Sequence, residues 1–222
     1  MIITGVLAFF SVIFGSFIGL YFKPKSIIGT KLLLSFSGAF LLSILFLEFL
    51  PEIFKIRKDS TGILIMLGIL TQIILEFFSK GIEHGHTQKL NRLEKIPWVL
   101  LLSLCIHSFF EGIPLNNQDK LLWGIVIHKI PIAIVVSLLL WETKSSKTNK
   151  VFAILFFALM TPLGGFIGLY LSESVNQIVE PLILGILIHI STTIMFESNA
   201  GHIFNLSKIL TRNLKNGSLL KY

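Results

Sequence analysis

Seven apolar segments, each long enough to cross a bilayer as a helix, dominate this 222-residue chain. A transmembrane helix needs about 20 mainly apolar residues. The connections between the segments are short, which favours one helical bundle without a separate soluble domain. We therefore predict an all-α, multi-pass transmembrane helix bundle over residues 1–198. The predicted spans are about 2–22, 32–50, 61–79, 97–115, 121–141, 151–171 and 179–197.

Composition supports the bilayer as the solvent. The chain is 53% hydrophobic and only 14% charged, and a soluble domain of this length is seldom so apolar. The first segment has no basic region before it and no small-residue cleavage pattern, so it is predicted to be a retained span. Cys105 is alone in the sequence, which excludes a disulfide framework and favours an inert packing role.

The basic residues predict the orientation of the chain. The net charge is +7, but the lysines and arginines cluster in short loops, which suits membrane orientation better than nucleic-acid binding. With the N-terminus outside, 14 of the 19 fall on the inner side and four on the outer side. We predict this orientation in a bacterial inner membrane. Residues 199–222 are predicted to form a basic, amphipathic, cytoplasmic tail with apolar positions at helical spacing.

An internal repeat relates the two ends of the bundle. The stretch Phe17-Ile18-Gly19-Leu20-Tyr21 of the first span recurs 149 residues later in the sixth span. The same offset carries Glu48 of the second span onto Glu197 of the seventh. Five helices separate the copies, so they enter the membrane in opposite directions, as in the inverted repeats of secondary transporters. Chance similarity between glycine-rich apolar helices is the alternative. The counterpart of the third span would begin at residue 210, where the sequence is too polar to cross.

Two intramembrane histidines and a carboxylate are the candidate metal ligands. His107 and Glu111 lie one turn apart on one face of the fourth helix. The connection to the fifth helix is about five residues, so the two helices should be antiparallel neighbours, which brings His128 to a similar depth. Imidazole and carboxylate suit Zn²⁺ and similar divalent ions, and three ligands leave positions for water. The alternative is that the histidines only make hydrogen bonds within a packed core.

Other polar residues could assist. Lys129 either pairs with Glu111 or occupies the place of a second ion, while snorkelling is disfavoured by its distance from the helix end. Glu48 and Glu197 close their spans on opposite sides, as inlet and outlet ligands or as ordinary interfacial acids. His189 forms a polar stripe with Thr193 that could face the path. The loop histidines His84 and His86 suggest either weak metal binding or an ordinary polar loop.

Enzyme motifs do not occur in the sequence. It contains no His-Glu-x-x-His, no Gly-x-Ser-x-Gly and no P-loop. An intramembrane metalloenzyme would need an activated water and a general base. Glu111 alone could serve as such a base, but no protease or hydrolase motif accompanies it. The chemistry therefore indicates ion passage and no enzymatic activity.

These residues resemble the ZIP (Zrt/Irt-like) family of divalent metal transporters. The stretch His107-Ser108-Phe109-Phe110-Glu111-Gly112 is similar to the His-Asn-x-Pro-Glu-Gly signature of its fourth helix. His128-Lys129-Ile130-Pro131-Ile132-Ala133 resembles the corresponding fifth-helix motif. The second helix, from Ser37 through Glu48 to Glu52, and the sixth, at Thr161-Pro162-Leu163-Gly164-Gly165, resemble the family as well.

The resemblance implies an eight-helix bundle in a 3+2+3 arrangement and inward carriage of metal by an elevator-like movement. In this chain we expect the eighth helix to be absent or truncated. Many family members hold two ions. In this chain Ile132 replaces the fifth-helix glutamate, Lys129 replaces an amide or acid, and Ser108 replaces an asparagine. The second metal position is therefore predicted to be lost, and the first to keep His107, Glu111 and His128.

The sequence thus predicts a transporter of divalent cations, with Zn²⁺ the expected ion and transported substrate, through a mononuclear site. No cofactor is expected. The predicted partners are the metal ion and the lipid bilayer, with a homodimer as an option. The rival interpretation is a metal sensor or a degenerate homologue that binds metal without transporting it.

Overall fold

The computed structural model describes residues 2–22, 27–56, 60–79, 95–116 and 119–199. Apart from short connections, these residues are helical. A 3₁₀ turn, Ile113–Asn116, follows the fourth helix. The helices are α1 (Ile2–Phe22), α2 (Ile27–Ile44, continued by Leu45–Phe49 and Leu50–Ile56), α3 (Thr61–Ser79), α4 (Trp98–Gly112), α5 (Asp119–Glu142), α6 (Lys147–Gly168) and α7 (Glu173–Asn199).

Each of the seven predicted spans overlaps one of these helices, and the protein is a multi-pass membrane helix bundle. Among the described residues, six helices are long and apolar enough to cross a membrane, and α3 is a shorter apolar helix over Thr61–Phe77. Some helices begin before the predicted span, because a polar first turn extends the helix beyond its apolar part. At α6 the Ser146 side chain accepts a hydrogen bond from the Asn149 N–H at 3.2 Å, so the helix begins at Lys147 instead of 151. Helix α7 begins at Glu173, before the predicted span at 179, and its first residue is acidic, which suits a helix N-terminus.

The second helix contains a wide turn that the sequence analysis did not foresee. Leu45–Phe49 has π-helical hydrogen bonding, and the Leu50 N–H donates to the Leu45 carbonyl. Pro51 follows directly and has no N–H to donate. Such π turns often occur at functional positions. This one includes Glu48, one of the predicted auxiliary acids.

Close glycine contacts occur twice in the bundle with the same pattern. Adding a Cβ atom to any of four glycines would bring it against a carbonyl oxygen of the neighbouring helix. Two of these glycines lie in α1, and the other two lie 149 positions later in α6, as in the predicted repeat. The residues that the α1 glycines meet lie 21 positions after those that the α6 glycines meet. This duplication of a helix-packing contact supports the inverted repeat. The pairs are Gly15 with Ile130, Gly19 with Ile134, Gly164 with Phe109, and Gly168 with Ile113.

The central helices of the bundle are α4 and α5. Two thirds of the residues in each of these spans are buried, whereas at most half are buried in the other spans. Helix α1 packs on α5, helix α6 packs on α4, and α2 contacts both α5 and α7. Polar groups on the inner faces of α4 and α5 are therefore shielded from lipid on all sides.

Candidate metal centre

The three predicted ligands converge between α4 and α5. His107 and Glu111 lie one turn apart on α4, His128 lies on α5, and all three are buried. One ligand atom from each residue lies within 4.8 Å of the others. Among the described residues, no other group of three such side chains is this close together.

One oxygen of Glu111 faces both histidines. Its Oε1 lies 2.6 Å from His107 Nε2 and 3.9 Å from His128 Nε2. The two rings are nearly perpendicular, with centroids 6.4 Å apart. Tetrahedral Zn²⁺ with bonds of about 2.0–2.1 Å requires neighbouring ligand atoms roughly 3.3 Å apart. The two observed distances lie on either side of that value by about 0.7 Å, so they bracket the spacing that the ion requires.

The hydrogen bonding of this trio also fits a cation. Neither ring nitrogen of His107, nor His128 Nε2, makes a hydrogen bond of good geometry with any described residue. Both oxygens of Glu111 lack one as well and are held by ion-pair contacts only. Buried polar atoms are nearly always hydrogen-bonded, so this cluster is chemically unusual. It is the pattern expected of side chains whose natural partner is a metal ion.

Lys129 forms a buried ion pair with the other oxygen of Glu111. Its Nζ lies 2.6 Å from Glu111 Oε2 and donates to Ser108 Oγ at 3.0 Å. The ammonium also lies over the Phe157 ring, 5.3 Å from its centroid. Only 1% of the residue is exposed, so Lys129 does not snorkel to an interface. The structure therefore contains the ion pair with Glu111 that one of the two predicted alternatives describes.

The repeat extends into the centre itself. The offset of 21 that relates the glycine partners also relates His107 to His128 and Ser108 to Lys129. It relates Glu111 to Ile132, which is 9% exposed and belongs to an apolar cluster. At this position of the repeat, α4 therefore supplies a carboxylate and α5 an aliphatic side chain. This centre has a single carboxylate, already paired with Lys129, and therefore offers ligands for one ion.

A serine on α2 that was not predicted as a site residue contacts His128. Ser37 is fully buried, and its Oγ lies 3.0 Å from His128 Nδ1. The same hydroxyl lies 3.5 Å from the His128 carbonyl oxygen, to which it donates. This arrangement favours a proton on Nδ1, donated to Ser37 Oγ, which leaves the Nε2 lone pair directed at Glu111. Nothing local in the sequence distinguishes Ser37 from the other serines of α2.

A threonine fixes α6 beside the centre. The Thr161 hydroxyl donates to the Ser108 carbonyl oxygen at 2.9 Å. Gly112 and Gly164 lie in the same α4–α6 contact. The backbone of α4 next to His107 is therefore held by both close packing and a hydrogen bond.

Glu48 and His189, two of the predicted auxiliary residues, pair with side chains outside the trio. Glu48 forms an ion pair with Lys120 at 2.6 Å, with side chains 41% and 70% exposed. Glu197 is within α7, but its side chain is not among those described, and His84 and His86 lie outside the described residues. His189 Nε2 lies 2.7 Å from Glu76 Oε2 of α3. Glu76 was overlooked, although an acidic residue inside an apolar segment is itself a signal.

The family model described as the ZIP zinc transporter matches residues 79–213 of this chain. This match covers more than half of the chain and includes both helices of the centre. The chain belongs to the ZIP zinc transporter family. The resemblance predicted from the α4 and α5 motifs is therefore confirmed.

Two known proteins are similar to part of this chain. The chain is 30% identical to the protein zntD of Dictyostelium discoideum over 129 residues, which are 48% of this chain and 19% of that protein. It is 36% identical to the zinc transporter ZIP2 of Homo sapiens over 92 residues, 39% of this chain and 30% of that protein. The matched region thus spans less than a third of either relative.

Proposed function

We propose that this chain carries a divalent cation across the membrane, Zn²⁺ being the expected ion, through a single-ion site formed by His107, Glu111 and His128. The observation that carries the proposal is the convergence of three buried ligand atoms within 4.8 Å between the two central helices. Membership of the family supports it. Two imidazoles and one carboxylate are typical ligands of catalytic and transient zinc sites.

Three ligands leave the coordination shell open, and this suits transit. A Zn²⁺ ion held by four protein ligands is structural and exchanges slowly, whereas three ligands leave a position for water. Lys129 neutralises Glu111 when no ion is bound. It also takes over the charge that a second ion would supply in a two-metal site. We therefore infer that the ion binds as a mononuclear species and releases without a second ion.

The expected ion follows from ligand chemistry. Nitrogen and oxygen ligands of this kind suit Zn²⁺, Fe²⁺ and Mn²⁺, and affinity within such a set favours the later ions of the series. The human relative is named a zinc transporter. We propose Zn²⁺ as the preferred substrate on these grounds.

We further propose that the N-terminus lies outside a bacterial inner membrane, since most basic residues then fall on the inner side. In this orientation Lys120, at the start of α5, is external. A cysteine at position 120 in a Cys105→Ser background should react with a membrane-impermeant thiol reagent on intact cells. A cysteine at position 147, at the start of α6, should not. The reverse labelling pattern would invert the proposed topology.

Uptake of radioactive zinc into sealed vesicles tests the transport proposal. The wild-type chain should show saturable uptake, and the double variant His107→Ala/His128→Ala should lose it. Cys105→Ser, on the same helix as His107, serves as the matched control and should retain uptake. If purified wild-type protein binds zinc but shows no saturable flux, the sensor or degenerate homologue is the correct interpretation. Wild-type flux in the double variant would refute the site.

A further inference from the structure

A second polar cluster lies between α3 and α7, away from the α4–α5 centre. His189 Nε2 is 2.7 Å from Glu76 Oε2, and the Thr193 hydroxyl is 3.4 Å from the same nitrogen. The side chains of His189 and Glu76 are 20% and 21% exposed. A titratable pair inside apolar helices is costly and usually marks a functional position.

The two helices approach closely enough for these side chains to share one space. A Cβ on Gly68 would collide with the Leu182 carbonyl, and one on Gly185 with the Ile65 carbonyl. Residue numbers rise together along both helices, from this contact to Glu76 and His189, so the helices run parallel. One turn beyond the glycines lie Gln72 on α3 and His189 on α7, on the faces that the glycines bring together.

Gln72 provides an independent observation. It is 1% exposed, and neither its amide oxygen nor its amide nitrogen makes a hydrogen bond with any described residue. It precedes Glu76 by four residues and therefore lies on the same face of α3. Burying an amide without a hydrogen-bond partner is energetically costly. A ligand for the amide oxygen would remove that cost.

We propose that Glu76, His189 and Gln72 form a second divalent-cation site, with the Thr193 hydroxyl beside it. A carboxylate oxygen, an imidazole nitrogen and an amide oxygen are together suited to ions of intermediate hardness, such as Zn²⁺, Mn²⁺ or Fe²⁺. The cluster is on a different helix pair from the three-ligand centre and shares no residue with it. It therefore binds its own ion.

The position of this cluster gives the site a role. Glu76 lies three residues before the end of α3 at Ser79. In the proposed orientation that end faces the cytoplasm, whereas His107 lies in the outer half of α4. The second site would then hold an ion on the cytoplasmic side. That ion has either passed through the α4–α5 centre already or binds independently of that passage. This role rests on the proposed function, but the binding itself does not.

Binding of Co²⁺, followed by its visible absorption and by equilibrium dialysis, tests the site in detergent-solubilised protein without a polyhistidine tag. The parent protein for this test carries His84→Ala and His86→Ala, so that the loop histidines do not contribute to the number of bound ions. We expect two Co²⁺ per chain in this parent protein. Glu76→Gln should lower the count to one, since the amide keeps the volume and a hydrogen bond to His189 but loses the charge.

Matched variants separate this proposal from the proposed function. Thr192→Val removes a hydroxyl that bonds only to its own helix backbone, so it should still bind two ions. His107→Ala/His128→Ala should bind one ion, and adding Glu76→Gln should abolish binding. An unchanged count and spectrum in Glu76→Gln would overturn the second site. A single ion in the parent protein that disappears with the two-histidine variant would overturn it equally, while leaving the α4–α5 centre intact.

Discussion

Replacing Lys129 by alanine should destabilise the protein far more than replacing Lys120. Both ammonium groups lie 2.6 Å from a glutamate oxygen. The side chains of Lys129 and Glu111 are 2% and 0% exposed, whereas those of Lys120 and Glu48 are 70% and 41% exposed. The two pairs therefore differ in burial and not in distance, so the comparison isolates the effect of burial.

The magnitudes follow from that difference. Removing one partner of a buried pair leaves the other charge unpaired and costs about 3–5 kcal/mol. An exposed pair contributes at most about 1 kcal/mol. For a protein of this length, 1 kcal/mol shifts the melting temperature by roughly 2–4 °C. We therefore expect Lys129→Ala to melt roughly 6–20 °C below wild type, and Lys120→Ala within about 4 °C of it.

Thermal unfolding in detergent micelles, followed by circular dichroism, measures both variants. Added Zn²⁺ should raise the melting temperature of Lys129→Ala more than that of wild type. In the variant the ion supplies the positive charge beside Glu111 that the Lys129 ammonium supplied before. At 100 times its dissociation constant, a ligand adds about 2.7 kcal/mol. The double variant Glu111→Gln/Lys129→Met removes both charges and should be more stable than Lys129→Ala. Equal melting of the two alanine variants, without a differential effect of zinc, would refute the reasoning.

Two further predictions concern side chains and backbone around the centre. Ser37→Ala should weaken zinc binding by about 10-fold to 100-fold, because the tautomer and ring orientation of His128 are no longer fixed. Ser37→Thr keeps the hydroxyl and should bind zinc as the wild type does. Isothermal titration measures all three affinities, and equal values would contradict the role of Ser37. Gly164→Ala places a methyl group against the Phe109 carbonyl and should lower the yield of folded protein in size-exclusion chromatography. Gly62 has open space around it, so Gly62→Ala should keep the wild-type yield. Equal yields of the two variants would contradict the close α4–α6 packing.

Local sequence pattern predicted the parts of the fold that depend on local chemistry. The apolar runs located all seven described helices, since length and hydropathy are properties of one segment. The ends were less accurate where caps decide them, as at Ser146 and Glu173. The π turn at Glu48 was missed because it is a hydrogen-bonding detail that hydropathy does not contain.

The convergence of His107, Glu111 and His128 was predictable from two simple constraints. Helical spacing aligns His107 with Glu111, and a short connection brings the fifth helix alongside. Ser37 and Glu76 depend on which faces of distant helices meet, 91 and 113 residues away in sequence. That information lies in tertiary packing, so single-segment reasoning could not supply those partners. Glu76 could still have been flagged as an intramembrane acid.

The most direct test of the central claim is anomalous X-ray scattering at the zinc edge from crystals grown with Zn²⁺. The single-ion site predicts one peak between α4 and α5, about 2.0–2.2 Å from His107, Glu111 and His128. It also predicts no second peak beside Lys129. A peak elsewhere with none at the trio, or two adjacent peaks that displace Lys129 from Glu111, would contradict the single-ion site.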